Sequence, residues 1–116
     1  MLRRIESFII TSEDFDGALA FFKDKLKLAM PAKSEDMARF ELESIPIFVA
    51  RSDKGGGSFI SIETDDIEGD YKQLKERGVD FFEPINTMQG GDKVAFFRGP
   101  ADTEFMLYQP ASDEKS

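Results

Sequence analysis

The chain has 116 residues, enough for one domain or two small fused modules. It carries 15 Lys+Arg against 23 Asp+Glu, a net charge of −8, with 41% hydrophobic residues, so it can build a core but suits neither a phosphate backbone nor an anionic membrane surface. His and Cys are absent, which excludes disulfides, His- or Cys-ligated metals, Ser-His-Asp and Cys-His catalysis and any His general base, and leaves an all-oxygen metal site as the only kind available.

In chain order, residues 7–11 alternate apolar and polar, which predicts a strand with two different faces. Asp14 then stands where a helix N-cap belongs, and Phe15, Ala18, Leu19, Phe22 and Leu26 recur at helical spacing. Strand-like segments follow at about 29–33, 37–43 and 46–51. Residues 52–57, with Gly55, Gly56 and Gly57, read as a flexible connector. The pattern then starts again. Residues 59–63 alternate, Asp66 caps, and Ile67, Tyr71 and Leu74 form a stripe that stops at Gly78. Strand-like segments recur at 79–83, 93–98 and 104–109, with Gly90-Gly91 as a turn and 110–116 as a polar tail expected to fray. No run approaches the length of a membrane span, and the first residues lack a signal-peptide pattern, so the expected location is cytoplasmic.

The two halves are copies of one plan. Residues 7–17 can be laid over residues 59–69 at one constant offset, through strand, acidic cap, apolar residue, acidic residue and Gly. Each half reads β-α-β-β-β. The segment Asp14-Phe15-Asp16-Gly17-Ala18-Leu19-Ala20-Phe21-Phe22 resembles the helix start of the vicinal oxygen chelate superfamily, which holds the glyoxalases, bleomycin-resistance proteins and extradiol dioxygenases. Lys25-Leu26-Lys27-Leu28 stands where that family often has Leu-Gly-Leu. Asp66-Ile67, Leu74, Gly78 and the closing segment from Ala95 to Leu107 extend the resemblance over nearly the whole chain. The resemblance implies an α+β fold: one domain over 1–116, with module one at about 1–51, a linker at 52–57 and module two at about 58–109. Two βαβββ modules would form a curled mixed sheet around a cavity, commonly in a homodimer.

Catalytic members of that family hold a divalent metal on four inward strand positions. Carried over by resemblance, these fall on Ser7, Phe48, Phe59 and Met106, which offer a hydroxyl, two hydrocarbon rings and a thioether. Hard divalent ions prefer anionic oxygen, so no metal and no other cofactor is expected, nor any catalytic residue built on one. Strand alternation adds Glu63 and Tyr108 to the cavity face. Glu63 could pair with a ligand cation or lie in water at the strand end. Phe48 and Phe59 could be ligand platforms or core filling.

The expected function is metal-free binding of a small organic molecule, with a cationic ligand suited to Glu63 and the aromatic residues. The expected ligand set is Ser7, Phe48, Phe59, Glu63, Met106 and Tyr108. The alternative is a glyoxalase-like enzyme of lyase, isomerase or dioxygenase type with an unusual or absent metal, using Tyr108, Glu63 or Glu104 as acid or base. Neither reading involves nucleic acid or membrane.

Overall fold

Each half of the chain opens with a strand that hands an Asp to a helix. In the computed structural model, which describes residues 1–111, strand β1 is Leu2–Ser12 and helix α1 is Phe15–Ala20. Strand β5 is Gly57–Thr64 and helix α2 is Ile67–Glu76. The Asp14 carboxylate accepts from Gly17 N–H at 3.0 Å, and that of Asp66 from Gly69 N–H at 3.1 Å. These bonds satisfy donors that a helix start leaves free. They also explain the repeated Gly: a Cβ at Gly17 would lie 2.2 Å from the Asp14 carboxylate, and one at Gly69 2.3 Å from that of Asp66.

The remaining strands are β2 (Ala29–Lys33), β3 (Met37–Glu41), β4 (Ile47–Arg51), β6 (Asp80–Phe81), β7 (Asn86–Thr87), β8 (Lys93–Arg98) and β9 (Glu104–Gln109). The chain divides into two units, residues 7–59 and residues 1–6 together with those from Ile60 on. Strand β1 thus contributes its later residues to the first unit and its opening residues to the second. In the first unit the strand order is β2-β3-β4-β1, with β1 and β4 parallel and the other pairs antiparallel. In the second it is β1-β5-β9-β8-β6, with β7 also on β8 and the pairs of β8 antiparallel. The architecture is α+β with mixed strand pairing; the first half follows the βαβββ plan, and the second adds to it the two-residue strand β7.

The apolar stripes meet their sheets as the spacing predicts, with one exception. In the first unit Phe15, Leu19 and Phe22 bury against Ala38, Phe40 and Val49. The helical run ends in a π turn, Phe21–Lys25, closed by Leu26 N–H donating to the Phe21 carbonyl at 3.1 Å. The wider turn rotates Leu26 out of the expected stripe and leaves it exposed, and Leu28 packs on the core instead. Lys27 there takes φ +60°, the left-handed conformation that a Gly adopts more easily. In the second unit Ile67, Ala95 and Leu107 form the buried centre, ringed by Ile62, Tyr71, Leu74, Phe81, Ile85 and Phe97. Gly78 ends α2 at φ +92°.

The other departures are in length. Strand β1 begins five residues earlier than the alternation suggested. The stretch expected as a strand over 79–83 pairs only at Asp80–Phe81. Residues 52–56 are held to β1, with Ser52 N–H on the Ser12 carbonyl and Gly55 N–H on the Glu13 carboxylate, and Gly57 already belongs to β5. Of the tail, Ala111 N–H donates to Asp92 at 2.7 Å, and residues 112–116 lie outside the described residues.

Candidate functional site

Strand alternation decides which side chains are free for a site. In the second unit Ile62 of β5 and Leu107 of β9 pack on α2's side of the sheet. Ser61, Glu63, Met106 and Tyr108 therefore stand on the opposite face. Three of the six expected ligand residues, Glu63, Met106 and Tyr108, are brought together on this face.

Its chemistry is acidic. Tyr108 donates its hydroxyl hydrogen to Asp92 Oδ2 at 3.0 Å, and Asp92 Oδ1 takes the Ala111 N–H. Burial, then the Asp92 hydrogen bond and charge, then the Glu6 and Glu63 charges push the phenol up to about 12. The phenol stays neutral at physiological pH, and with its hydrogen on Asp92 its oxygen can only accept. Glu63 is mostly buried and is held by Arg4, whose Nη2 lies 3.0 Å and Nε 3.1 Å from Oε1. Met106 is 9% exposed, so its thioether is floor rather than ligand contact at the surface. Ser61 is fully buried, and its hydroxyl has no hydrogen-bond partner among the described residues.

The other three expected residues lie in the first unit. Ser7 is fully buried. Phe59 is half-buried. Phe48 is half-buried on β4, on the face opposite the Phe40–Val49 core, with the Arg39 guanidinium 6.0 Å from its ring centroid. The sequence reading missed Arg4, Glu6, Asp92 and Arg39. Arg4 and Glu6 were missed because the alternation placed the strand start at Ser7. The lengthened β1 carries them alongside β5. Asp92 sits in the turn after Gly90-Gly91, and only its bond to Tyr108 reveals it.

The four positions where the resemblance puts a metal do not fit one. A hydroxyl, two phenyl rings and a thioether are poor company for Mg²⁺ or Ca²⁺, and no group of three or more carboxylates among the described residues is placed to hold an ion.

The fold matches known proteins. The family model of the Glyoxalase/Bleomycin resistance protein/Dioxygenase superfamily matches residues 4–107, and the chain belongs to that superfamily. Among solved structures, a hypothetical protein from Bacillus halodurans C-125 aligns with TM-score 0.74 at 18% identity, covering 97% of this chain and 98% of that one. A superfamily member from Vibrio splendidus 12B01 aligns with TM-score 0.70 at 16% identity, covering 95% and 100%. The Streptomyces coelicolor methylmalonyl-CoA epimerase (E43Q), in complex with 2-nitronate-propionyl-CoA, aligns with TM-score 0.69 at 17% identity, covering 97% and 100%. At these identities the likeness is one of fold. No curated protein matches the chain. No helix among the described residues is long and apolar enough to cross a membrane.

Proposed function

We propose that the chain is a metal-independent small-molecule binding protein that takes an organic cation on the face carrying Glu63, Met106 and Tyr108. The observation behind this reading is the Tyr108–Asp92 hydrogen bond. It turns the phenol oxygen into an acceptor beside a carboxylate wall, with Met106 as apolar floor. Such a surface favours a ligand that brings N–H donors and positive charge, and disfavours an anion. The donor chemistry of Ser7, Phe48, Phe59 and Met106 supports the metal-independent part. Of the expected ligand set, Ser7 and Phe48 add least to cation binding: Ser7 has no surface, and the ring of Phe48 already faces a cation. Cytoplasmic residence and a homodimer complete the proposal, the latter tested by sedimentation.

The test is a thermal-shift series with aromatic ammonium ions, led by benzylammonium, on wild type and Glu63→Gln. A ligand at a hundred times its dissociation constant stabilises the fold by about 2.7 kcal/mol. A shift in wild type that falls in Glu63→Gln supports the reading. No shift with any cation, or equal shifts in both proteins, overturns it.

A second reading is a superfamily enzyme, favoured by the shared fold of the methylmalonyl-CoA epimerase structures. Elemental analysis of purified protein separates the metal-dependent form of that reading from both others. A stoichiometric divalent metal would contradict the proposal above.

A further inference from the structure

Ser61 sits in the middle of β5 with a hydroxyl that nothing in the free protein answers. It is 0% exposed, and its oxygen has no hydrogen-bond partner among the described residues. A hydroxyl buried without a partner destabilises the fold, whereas an alanine in its place would not. A buried polar group left unpaired in this way points to a contact made only when something is bound. Ile62 faces α2, so alternation turns Ser61 and Glu63 to the other side, about 7 Å apart along the strand.

On that side Ser61, Glu63 and Tyr108 can all accept. Both Arg4 contacts to Glu63 fall on Oε1, and Oε2 takes neither. Tyr108 donates its hydrogen to Asp92 and keeps its oxygen lone pairs. The Ser61 hydroxyl rotates freely enough to accept as well. Three acceptors match a group that donates several hydrogens, and a primary ammonium carries three. A quaternary ammonium has the same charge and no N–H. Burial sharpens the difference. The Ser61 hydroxyl has no surface in the free protein, so a ligand reaches it only by displacing a neighbouring side chain. Met106, on the same face of the adjacent strand β9, has an unbranched thioether suited to such a move. A slim CH₂–NH₃⁺ head needs less displacement than a trimethylated one.

We propose that Ser61 is a specificity-determining residue of the Glu63–Tyr108 face: its hydroxyl takes one N–H of a primary ammonium, and the face thereby selects primary over quaternary ammonium ions. The inference rests on the cation-binding reading of this face and adds to it the class of cation.

The experiment compares benzylammonium with benzyltrimethylammonium by isothermal titration calorimetry, on wild type and Ser61→Ala. The two ions share ring and charge and differ in their N–H groups. Wild type should bind benzylammonium about tenfold more tightly, equivalent to about 1.4 kcal/mol. Ser61→Ala should weaken benzylammonium about fivefold, the scale of one lost hydrogen bond, and leave benzyltrimethylammonium unchanged. Urea denaturation without ligand is the second readout. Ser61→Ala should unfold at the same urea concentration as wild type or a higher one, because the hydroxyl has no partner to lose. Equal binding of the two ions by wild type would overturn the selection and leave the cation reading of the face intact. An unchanged benzylammonium affinity in Ser61→Ala, or an equal loss of both ions, would overturn the role of Ser61. So would a lower urea midpoint, which would mean that a buried water already satisfies the hydroxyl in the free protein. Binding of neither ion by wild type would overturn this proposal together with the reading beneath it.

Discussion

The two halves share a plan and differ in the faces that plan leaves free. Both use an Asp cap over a Gly, a short helix and a sheet face buried beneath it. On the opposite face, the first unit presents Arg39 over Phe48, and the second presents Glu63 and Tyr108 among carboxylates. Packing under the helices constrains the residues on that side, and the polar side chains opposite differ between the halves: Arg39 with Glu41 in the first, Tyr108 with Asp92 in the second. The cores also differ. Three phenylalanines, Phe15, Phe22 and Phe40, are buried in the first unit, and Ile67, Ala95 and Leu107 form the centre of the second.

The largest expected effect tests that difference in core. Phe40→Ala should cost about 3–5 kcal/mol and Leu107→Ala about 2–5 kcal/mol, read by urea denaturation, with Phe40→Ala the greater. The reverse order would mean that the second core, despite its smaller side chains, is the more tightly packed. A smaller pair of changes tests the shared part. Gly17→Ala and Gly69→Ala should each push the cap carboxylate off its N–H and cost about 1 kcal/mol, and by similar amounts. A loss at one site alone would show that the two caps are equal in geometry but not in energy.

The next effect belongs to the second unit alone. The folded phenol of Tyr108 titrates near 12, above its ordinary value of 10, because the fold favours its neutral form. The stability it contributes is therefore fully present below pH 10 and is lost as pH rises from 10 toward 12. Tyr108→Phe should flatten this alkaline loss, measured by chemical denaturation at stepped pH together with phenolate absorbance. An unchanged alkaline slope would place the loss elsewhere.

Most of the fold was legible because its signals are local. Alternation marked β2, β8 and β9 to the residue, and the duplicated Asp and Gly marked both helix starts. The misses have physical causes. Leu26 left the stripe because a π turn changes the helical period, which a fixed spacing cannot anticipate. Half of the expected site gathered on one face because parity along a strand survives any error in its ends. Arg4, Glu6 and Asp92 escaped because they reach the site across strands and through a turn, and sequence spacing does not encode such contacts. Arg39 was overlooked because, read alone, it is an ordinary charge on an alternating strand; only its register sets it beside Phe48.

The central claim is that the second unit's free face recognises positive charge without a metal. Titrating metal-stripped protein with benzylammonium, and following the amides of Ile60–Thr64 and of β9 by NMR, tests it most directly. Saturable shifts confined to those strands and lost in Glu63→Gln are the expected result. Shifts that appear only after Mg²⁺ or another divalent ion is restored, or none at any concentration, would contradict it.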